Sequence, residues 1–296
     1  MPYRGRFAPS PSGPLHLGSL VAAVGSWVRA RAQGGVWLVR IEDIDPPREI
    51  PGAAADILKT LAAFGMQSDE PVWYQSQRSQ AYLQVFGQLR DAGELFACWC
   101  SRTDLQAQRG RHRDQCIATP EPSRQPCWRV RVADESIGFD DVLLGPQLQN
   151  LRRDVGDFVI RRVEGWYAYQ LAVVVDDAAQ GITEIVRGAD LLDSTPRQIY
   201  LQRLLGYPTP AYLHLPLVVD GKGRKLSKQD GDQRVDPHDP VPALRAALAF
   251  LDLPVDAAAT SVDRLLSTAV RNFNIDSLRG AANESRRRCV QSTDEY

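Results

Sequence analysis

The chain has 296 residues, 44% of them hydrophobic and 24% charged, which suits a soluble globular protein of one large domain or two ordinary ones with a sizeable core. A formal net charge of -1 supplies no global field for a nucleic acid, so contact with one would need a local basic face. No apolar run approaches the ~18 residues of a membrane span, and the first residues lack the apolar centre of a signal peptide. A cytosolic protein without membrane contact is expected; five cysteines, an odd number, do not suit a disulfide framework and make metal binding the first use to test.

The opening segment Arg6-Phe-Ala-Pro-Ser-Pro-Ser-Gly-Pro-Leu-His-Leu-Gly-Ser19 joins a short strand, an irregular proline-glycine turn and a helix start. Leu20, Val24, Trp27 and Val28 recur at helical spacing and predict an amphipathic helix that stops at Gly34-Gly35. His16 and Ser19 thus fall at a helix N-terminus, where backbone N–H groups and the helix dipole suit phosphate and developing negative charge. A tight turn capped by Ser19 would explain the same residues without a ligand. Val36-Trp-Leu-Val-Arg-Ile41 reads as a strand, followed by Glu42, Asp43 and Asp45 and stopped by Pro46-Pro47. Strand, helix and strand make a βαβ unit, whose ligands bind beyond the carboxyl ends of the strands, where His16 and Glu42 both lie. An acidic loop in solvent is the plainer account of Glu42 and its neighbours.

Helices are predicted over 53–64 and 76–91, both for packing. Cys98-Trp-Cys100 followed by His112 and Cys116 then gives C-x-C and H-x3-C, a zinc-type donor set, with Ser101 to Asp104 as a helix start between the pairs and Cys127 as an alternative ligand. Ordinary unpaired thiols and a solvated His112 are the other reading. Strands are predicted at 129–132, 137–144, 157–162 and 166–175, the last two as a hairpin through Glu164-Gly165. On this reading Asp176-Asp177 follows one apolar strand and Gly188-Ala-Asp190 follows another at 183–187, so polar groups return to the same crevice. Thr195 as N-cap, Pro196 and Gly206 bound a helix, and 215–219 reads as a strand. Asp220-Gly-Lys-Gly-Arg-Lys-Leu-Ser-Lys228 carries four cations suited to a polyphosphate, or to a solvated hairpin tip, and is not a P-loop. Helices over 241–251 and 262–270 precede a polar tail with Arg286-Arg-Arg288.

Together, Phe7-Ala-Pro-Ser-Pro-Ser-Gly with His16-Leu-Gly-Ser19, Arg40-Ile-Glu-Asp-Ile-Asp45, Val174-Val-Asp-Asp177, Val186-Arg-Gly-Ala-Asp190 and Lys225-Leu-Ser-Lys228 resemble the class I glutamyl-tRNA synthetases from about Arg6 to Asp230. His16-Leu-Gly-Ser19 stands for the HIGH signature and Lys225-Leu-Ser-Lys-Gln229 for KMSKS. The resemblance implies an α/β, Rossmann-type catalytic domain that activates L-glutamate with ATP and Mg2+ to glutamyl-adenylate. His16, Lys225 and Lys228 would be catalytic, with Gly18 and Ser19 joining His16 and Lys228 around ATP. Arg6, Ser10, Glu42, Tyr169 and Arg187 would bind glutamate, Arg187 pairing with a carboxylate and Glu42 holding the ammonium. The implied organisation is 1–94 for the first catalytic half and 95–165 for an inserted, acceptor-type subdomain with one structural zinc. Residues 166–240 would form the second half with its KLSK loop, and 241–296 a short helical, stem-like region.

With 68 residues after Lys228 (296 minus 228) and no room for an anticodon-binding domain, the resemblance narrows to the truncated branch of that family. That branch transfers glutamate to the queuosine base at the wobble position of tRNA(Asp), as a monomer. The alternatives are 3'-end glutamylation of a tRNA and a non-catalytic glutamate-sensing or RNA-binding paralogue. Two positions depart from the pattern: His112 stands where the branch carries a tyrosine, which leaves the fourth zinc ligand open, and Val173 stands where full-length relatives carry an asparagine, which predicts weaker glutamate binding.

Overall fold

The computed structural model describes residues 2–113, 116–121, 123–218 and 234–279. The KLSK segment with Lys225 and Lys228, and the tail with Arg286-Arg-Arg288, lie outside the described residues.

The opening unit forms as read. β1 (Arg4–Phe7) leads through the Pro/Gly turn into α1 (Leu17–Ala32) and back to β2 (Val36–Ile41), with β1 and β2 parallel from Arg4 opposite Val36 to Phe7 opposite Val39. Leu20, Val24 and Val28 of α1 are buried, as the spacing requires. α2 (Ala53–Ala63) buries Ile57 and Leu61 and ends before Gly65, at φ 70°; β3 (Trp73–Tyr74) then pairs parallel with β2. α3 (Ser79–Asp91) buries the face of Tyr82, Val85, Phe86 and Leu89.

Next come β4 (Leu95–Cys98), β5 (Cys127–Val130), the hairpin of β6 (Ser136–Asp141) and β7 (Gly145–Asn150), the single turn α4 (Leu151–Asp154) and β8 (Phe158–Arg161). β4, β5 and β8 make a separate antiparallel sheet. The chain continues through α5 (Tyr169–Ala179), β9 (Glu184–Gly188), α6 (Thr195–Leu205) and β10 (Ala211–Leu215) to α7 (Pro240–Phe250) and α8 (Val262–Arg271). β10 runs parallel to β9 on one side and β6 on the other, so the stretch 95–165 contributes strands to two sheets. The opening β1–α1 unit meets the β9 region where the Thr183 N–H donates to the Arg4 carbonyl (2.9 Å) and Arg29 forks onto Glu184 (2.8 and 3.0 Å).

Two predicted strands are corrected. Residues 166–175 do not form the second arm of a hairpin: Arg162 N–H still donates to the Trp166 carbonyl at 2.8 Å, but the chain turns into helix α5 at Tyr169. Leu171 to Val175 are buried all round, and a short apolar run with that environment carries no period that separates helix from strand. Asp176 and Asp177 therefore sit on a helix rather than beyond a strand. The strand expected at 215–219 is β10, which ends at Leu215, because Pro216 has no N–H to continue the ladder. Ser101 to Asp104 form a hydrogen-bonded turn that leads only to a short 3-10 turn, Gln106–Gln108.

α7 and α8 bury Leu244, Ala247, Leu248, Leu265, Leu266 and Ala269 in the same core as α1. Truncation of Leu248 to alanine is expected to cost about 2–5 kcal/mol, read as a lower urea midpoint at unchanged slope.

Candidate active site and metal centre

A row of buried charges runs across the carboxyl ends of β1 and β2. Asp177 of α5 accepts from Arg6 of β1 through both oxygens (3.0 and 3.3 Å) and from Arg40 of β2 at 2.8 Å. Arg40 also donates to Gln180 Oε1 at 2.8 Å and to Glu42 at 3.3 Å. Arg40 is fully buried and Arg6 is 3% exposed, so neither charge is carried by water. Two guanidinium groups face two carboxylates, and the row is neutral. Burial pushes the Asp177 carboxyl up, but Arg6 and Arg40 outweigh it and hold it below the ordinary range. At Glu42 burial wins over Arg40 and Arg6, and its carboxyl is raised.

Arg187, on β9, is placed differently. It is 5% exposed, and all five of its N–H groups meet neutral acceptors. Nε donates to His214 Nε2 (3.1 Å), Nη1 to Gln198 Oε1 (2.8 Å) and the Tyr169 hydroxyl (3.3 Å), and Nη2 to Thr195 Oγ1 (2.7 Å) and the Leu191 carbonyl (3.3 Å). No carboxylate among the described residues pairs with it. A buried cation with no counter-charge in direct contact is costly, and an anion placed against it would offset that cost. Each terminal nitrogen has one short and one long bond. The Tyr169 hydroxyl, raised by burial, feels Arg187 first and then Glu42, Arg6 and Asp177, which places it between the two sets of charges.

The structure thus brings Arg6, Glu42, Tyr169 and Arg187 together. Ser10 is exposed on the turn between β1 and α1, and the Glu42 N–H is tied to that turn through the Pro9 carbonyl at 3.0 Å. His16 caps α1, where its N–H donates to Ser19 Oγ (2.8 Å) and its carbonyl accepts the Ser19 hydroxyl (2.8 Å). Gly18 gives the His16 ring room, since a Cβ there would lie 3.1 Å from His16 Cε1. The backbone of Arg234, the first described residue after the KLSK segment, pairs with His16. Asp43 and Asp45 do not join the crevice: Asp43 accepts from Ser76, and Asp45 pairs with Arg48 and Arg162. Sequence reasoning missed Gln180, Thr195, Gln198, His214 and Asp141 as parts of the site; a histidine within the apolar strand Leu213-His214-Leu215 was the one available signal.

The cysteine cluster forms beside the small antiparallel sheet. One ligand atom from each of Cys98, Cys100, His112 and Cys116 lies within 4.8 Å of the others. Cys127 is outside the set, its thiol donating to the Cys98 carbonyl at 3.2 Å. His112 Nδ1 is 2.9 Å from Asp157 Oδ2, while its Nε2 is buried without a hydrogen-bond partner, the state of a nitrogen kept for a cation. The Cys127 thiol and Arg129 beside Cys98 pull its thiol down to about 4, whereas burial and Cys98 push Cys116 up to about 12. Three thiols and an oriented imidazole fit a tetrahedral zinc site. Gly156, at φ 77°, lets the His112 carbonyl approach where a Cβ would collide with it. The Gly156→Ala variant is therefore expected to bind well under half an equivalent of zinc in elemental analysis, against about one for the wild type.

The class of protein that this fold defines is also the one its sequence matches: residues 3–239 correspond to the catalytic domain of the class I tRNA synthetases for E and Q. The fold is shared with two solved glutamate-tRNA synthetases at low identity. One, a glutamate tRNA ligase from Elizabethkingia meningosepticum in complex with its amino acid, has a TM-score of 0.77 at 23% identity over 98% of this chain and 70% of that one. The other, from Elizabethkingia anophelis, gives 0.79 at 24% over 100% and 71%. The chain belongs to the glutamyl-Q tRNA(Asp) synthetase family. It is 58% identical to the member from Xanthomonas oryzae pv. oryzae over 92% of this chain and 91% of that protein. With the member from Burkholderia cenocepacia it shares 56% over 86% and 89%.

Proposed function

We propose that this ligase activates L-glutamate with ATP and transfers it to the queuosine base at the wobble position of tRNA(Asp). The unneutralised guanidinium of Arg187 carries the first half of this reading, since an amino acid with a second carboxylate supplies the charge the pocket lacks. Arg187 would take one carboxylate of glutamate in a bidentate pair, with the Tyr169 hydroxyl and Ser10 completing the contacts. Glu42 would hold the ammonium, and Arg6, fixed by Asp177, would keep the pocket neutral around it. The other carboxylate attacks the α-phosphate of ATP: a C–O–P bond forms, the bond to the bridging oxygen breaks, and pyrophosphate leaves.

Positioning and charge stabilisation do most of this work. His16, Gly18 and Ser19 would receive ATP at the N-terminus of α1. By the family motif, Lys225 and Lys228 would act on the triphosphate. Mg2+ would accompany the nucleotide and offset its charge. One structural zinc, held by Cys98, Cys100, His112 and Cys116, would tie the end of β4 to the segment at 112–116 and, through Asp157, to β8. One copy of the chain supplies every residue used. The choice of acceptor is supported by relatives that align over nearly their whole length.

Three measurements test the reading. Labelled glutamate and ATP are expected to mark queuosine-containing tRNA(Asp) at the wobble nucleotide and leave the queuosine-free tRNA unmarked; equal labelling of both, or label at the 3' end, would overturn the acceptor. In glutamate-dependent pyrophosphate exchange, Arg187→Lys is expected to raise KM for glutamate on the order of 10- to 100-fold, because a bidentate pair becomes a point charge. Glu42 binds an ammonium only when ionised and its carboxyl is raised by burial, so KM for glutamate is expected to climb as pH falls, beginning above the ordinary value of 4.5. Glu42→Gln should lose that dependence.

A further inference from the structure

Arg187 needs His214 in one particular state. His214 is fully buried on β10, and its Nε2 lies 3.1 Å from Arg187 Nε and 3.2 Å from Thr195 Oγ1. A guanidinium has only protons to offer, so Nε2 must present its lone pair. The opposite nitrogen, Nδ1, lies 2.7 Å from Asp141 Oδ2. Asp141 is 3% exposed and is itself held: Oδ1 accepts the N–H groups of Leu143 (3.0 Å) and Leu144 (2.8 Å), and Oδ2 accepts the N–H of His214 (3.1 Å). A carboxylate has no proton to give, so the ring proton of neutral His214 sits on Nδ1 and the lone pair on Nε2. Thr195 closes the triangle: its Oγ1 accepts from Arg187 Nη2 at 2.7 Å and lies 3.2 Å from the same Nε2, whose one lone pair the two donors share.

We infer that Asp141 and His214 are positioning residues for glutamate recognition, a carboxylate–imidazole pair that locks the Nε edge of Arg187 and leaves its two weakly held terminal N–H groups for the substrate carboxylate. The inference rests on Arg187 being the glutamate-binding guanidinium. It also gives Arg187 a counter-charge one residue removed: Asp141 lies behind the imidazole, near enough to make the buried cation tolerable and too far to occupy the fork meant for substrate. A carboxylate in direct contact with Arg187 would compete with glutamate; a neutral histidine with no anion behind it would not fix which nitrogen bears the proton.

The pair is tested in glutamate-dependent pyrophosphate exchange. His214→Met, similar in length but with only a weak thioether acceptor for Arg187 Nε, is expected to raise KM for glutamate about tenfold, the weight of one hydrogen bond to a charged donor, while KM for ATP stays in place. His214→Gln can put its carbonyl oxygen where Nε2 sits and is expected to return KM to within about threefold of wild type. Wild-type KM in the Met variant, no recovery in the Gln variant, or a parallel rise in KM for ATP would overturn the role. Nitrogen NMR of histidine-labelled wild type, assigned by loss of one signal in the Gln variant, needs no destabilised protein: His214 is expected neutral with its proton on Nδ1, and a proton on Nε2 would sink the inference. If Arg187→Lys leaves glutamate KM unmoved, the glutamate pocket itself is wrong; if it raises KM and the His214 variants do not, only the positioning role falls.

Discussion

Asp177 is the carboxylate on which the catalytic crevice depends. It is buried on α5 and receives guanidinium groups from both β1 and β2, so one side chain of the second half of the chain holds the two strands that open the first. Without it Arg6 would lose its carboxylate in a dry interior and Arg40 would keep only Glu42 at 3.3 Å, a costly kind of defect for a buried ion pair. Through Arg40 the same carboxylate reaches Glu42, and the row Arg6, Asp177, Arg40, Glu42 becomes one rigid unit. Glu42 keeps its raised carboxyl because Arg40 reaches it at only 3.3 Å while the surroundings are dry.

The chemistry of the site follows from a contrast between its arginines. Arg6 and Arg40 are neutralised within the protein and serve as structure. Arg187 is surrounded by a ring nitrogen, an amide, two hydroxyls and a carbonyl, each of which orients it without cancelling its charge. An anionic ligand entering there meets a cation that is already desolvated and already aimed, so little reorganisation accompanies binding. The neighbouring Asp176 accepts from Gln75, Arg78 and Tyr82 and fastens α5 to α3 and the turn before it.

The metal knuckle is a second case of a ligand set prepared by its surroundings. His112 is oriented by Asp157, Asp157 also accepts the Val132 N–H, and Gly156 gives the backbone of His112 the room it needs. The imidazole takes the fourth place in the cluster, and Cys127, the alternative by composition, is used in strand pairing opposite Cys98. The choice was not visible in the spacing because it depends on the pairing of β4 with β5 and on a carboxylate 45 residues away from His112.

Much of the fold was legible in the chain itself. The first βαβ unit, the helices α2, α3, α6, α7 and α8 and the candidate metal ligands follow from local pattern: apolar residues at helical spacing, glycine at left-handed stops, proline at a first turn, thiols at short intervals. Arg6, Glu42, Tyr169 and Arg187 were legible as a set through family motifs, and they do converge. What local pattern could not supply was anything set by burial from several sides. Leu-Ala-Val-Val-Val looks the same to its neighbours in sequence whether it becomes a strand or a fully buried helix, and the surrounding sheet and helices decided for helix α5. Likewise Asp141 and Asp177 carry no local mark of their task, and His214 only its place in an apolar strand, because the partner that gives each its role comes from a distant strand or helix. Residue types and their order determined which chemistry the chain can hold; the tertiary structure decided which charges are cancelled in direct contact and which one is not, because cancellation depends on ångström distances between segments far apart in sequence.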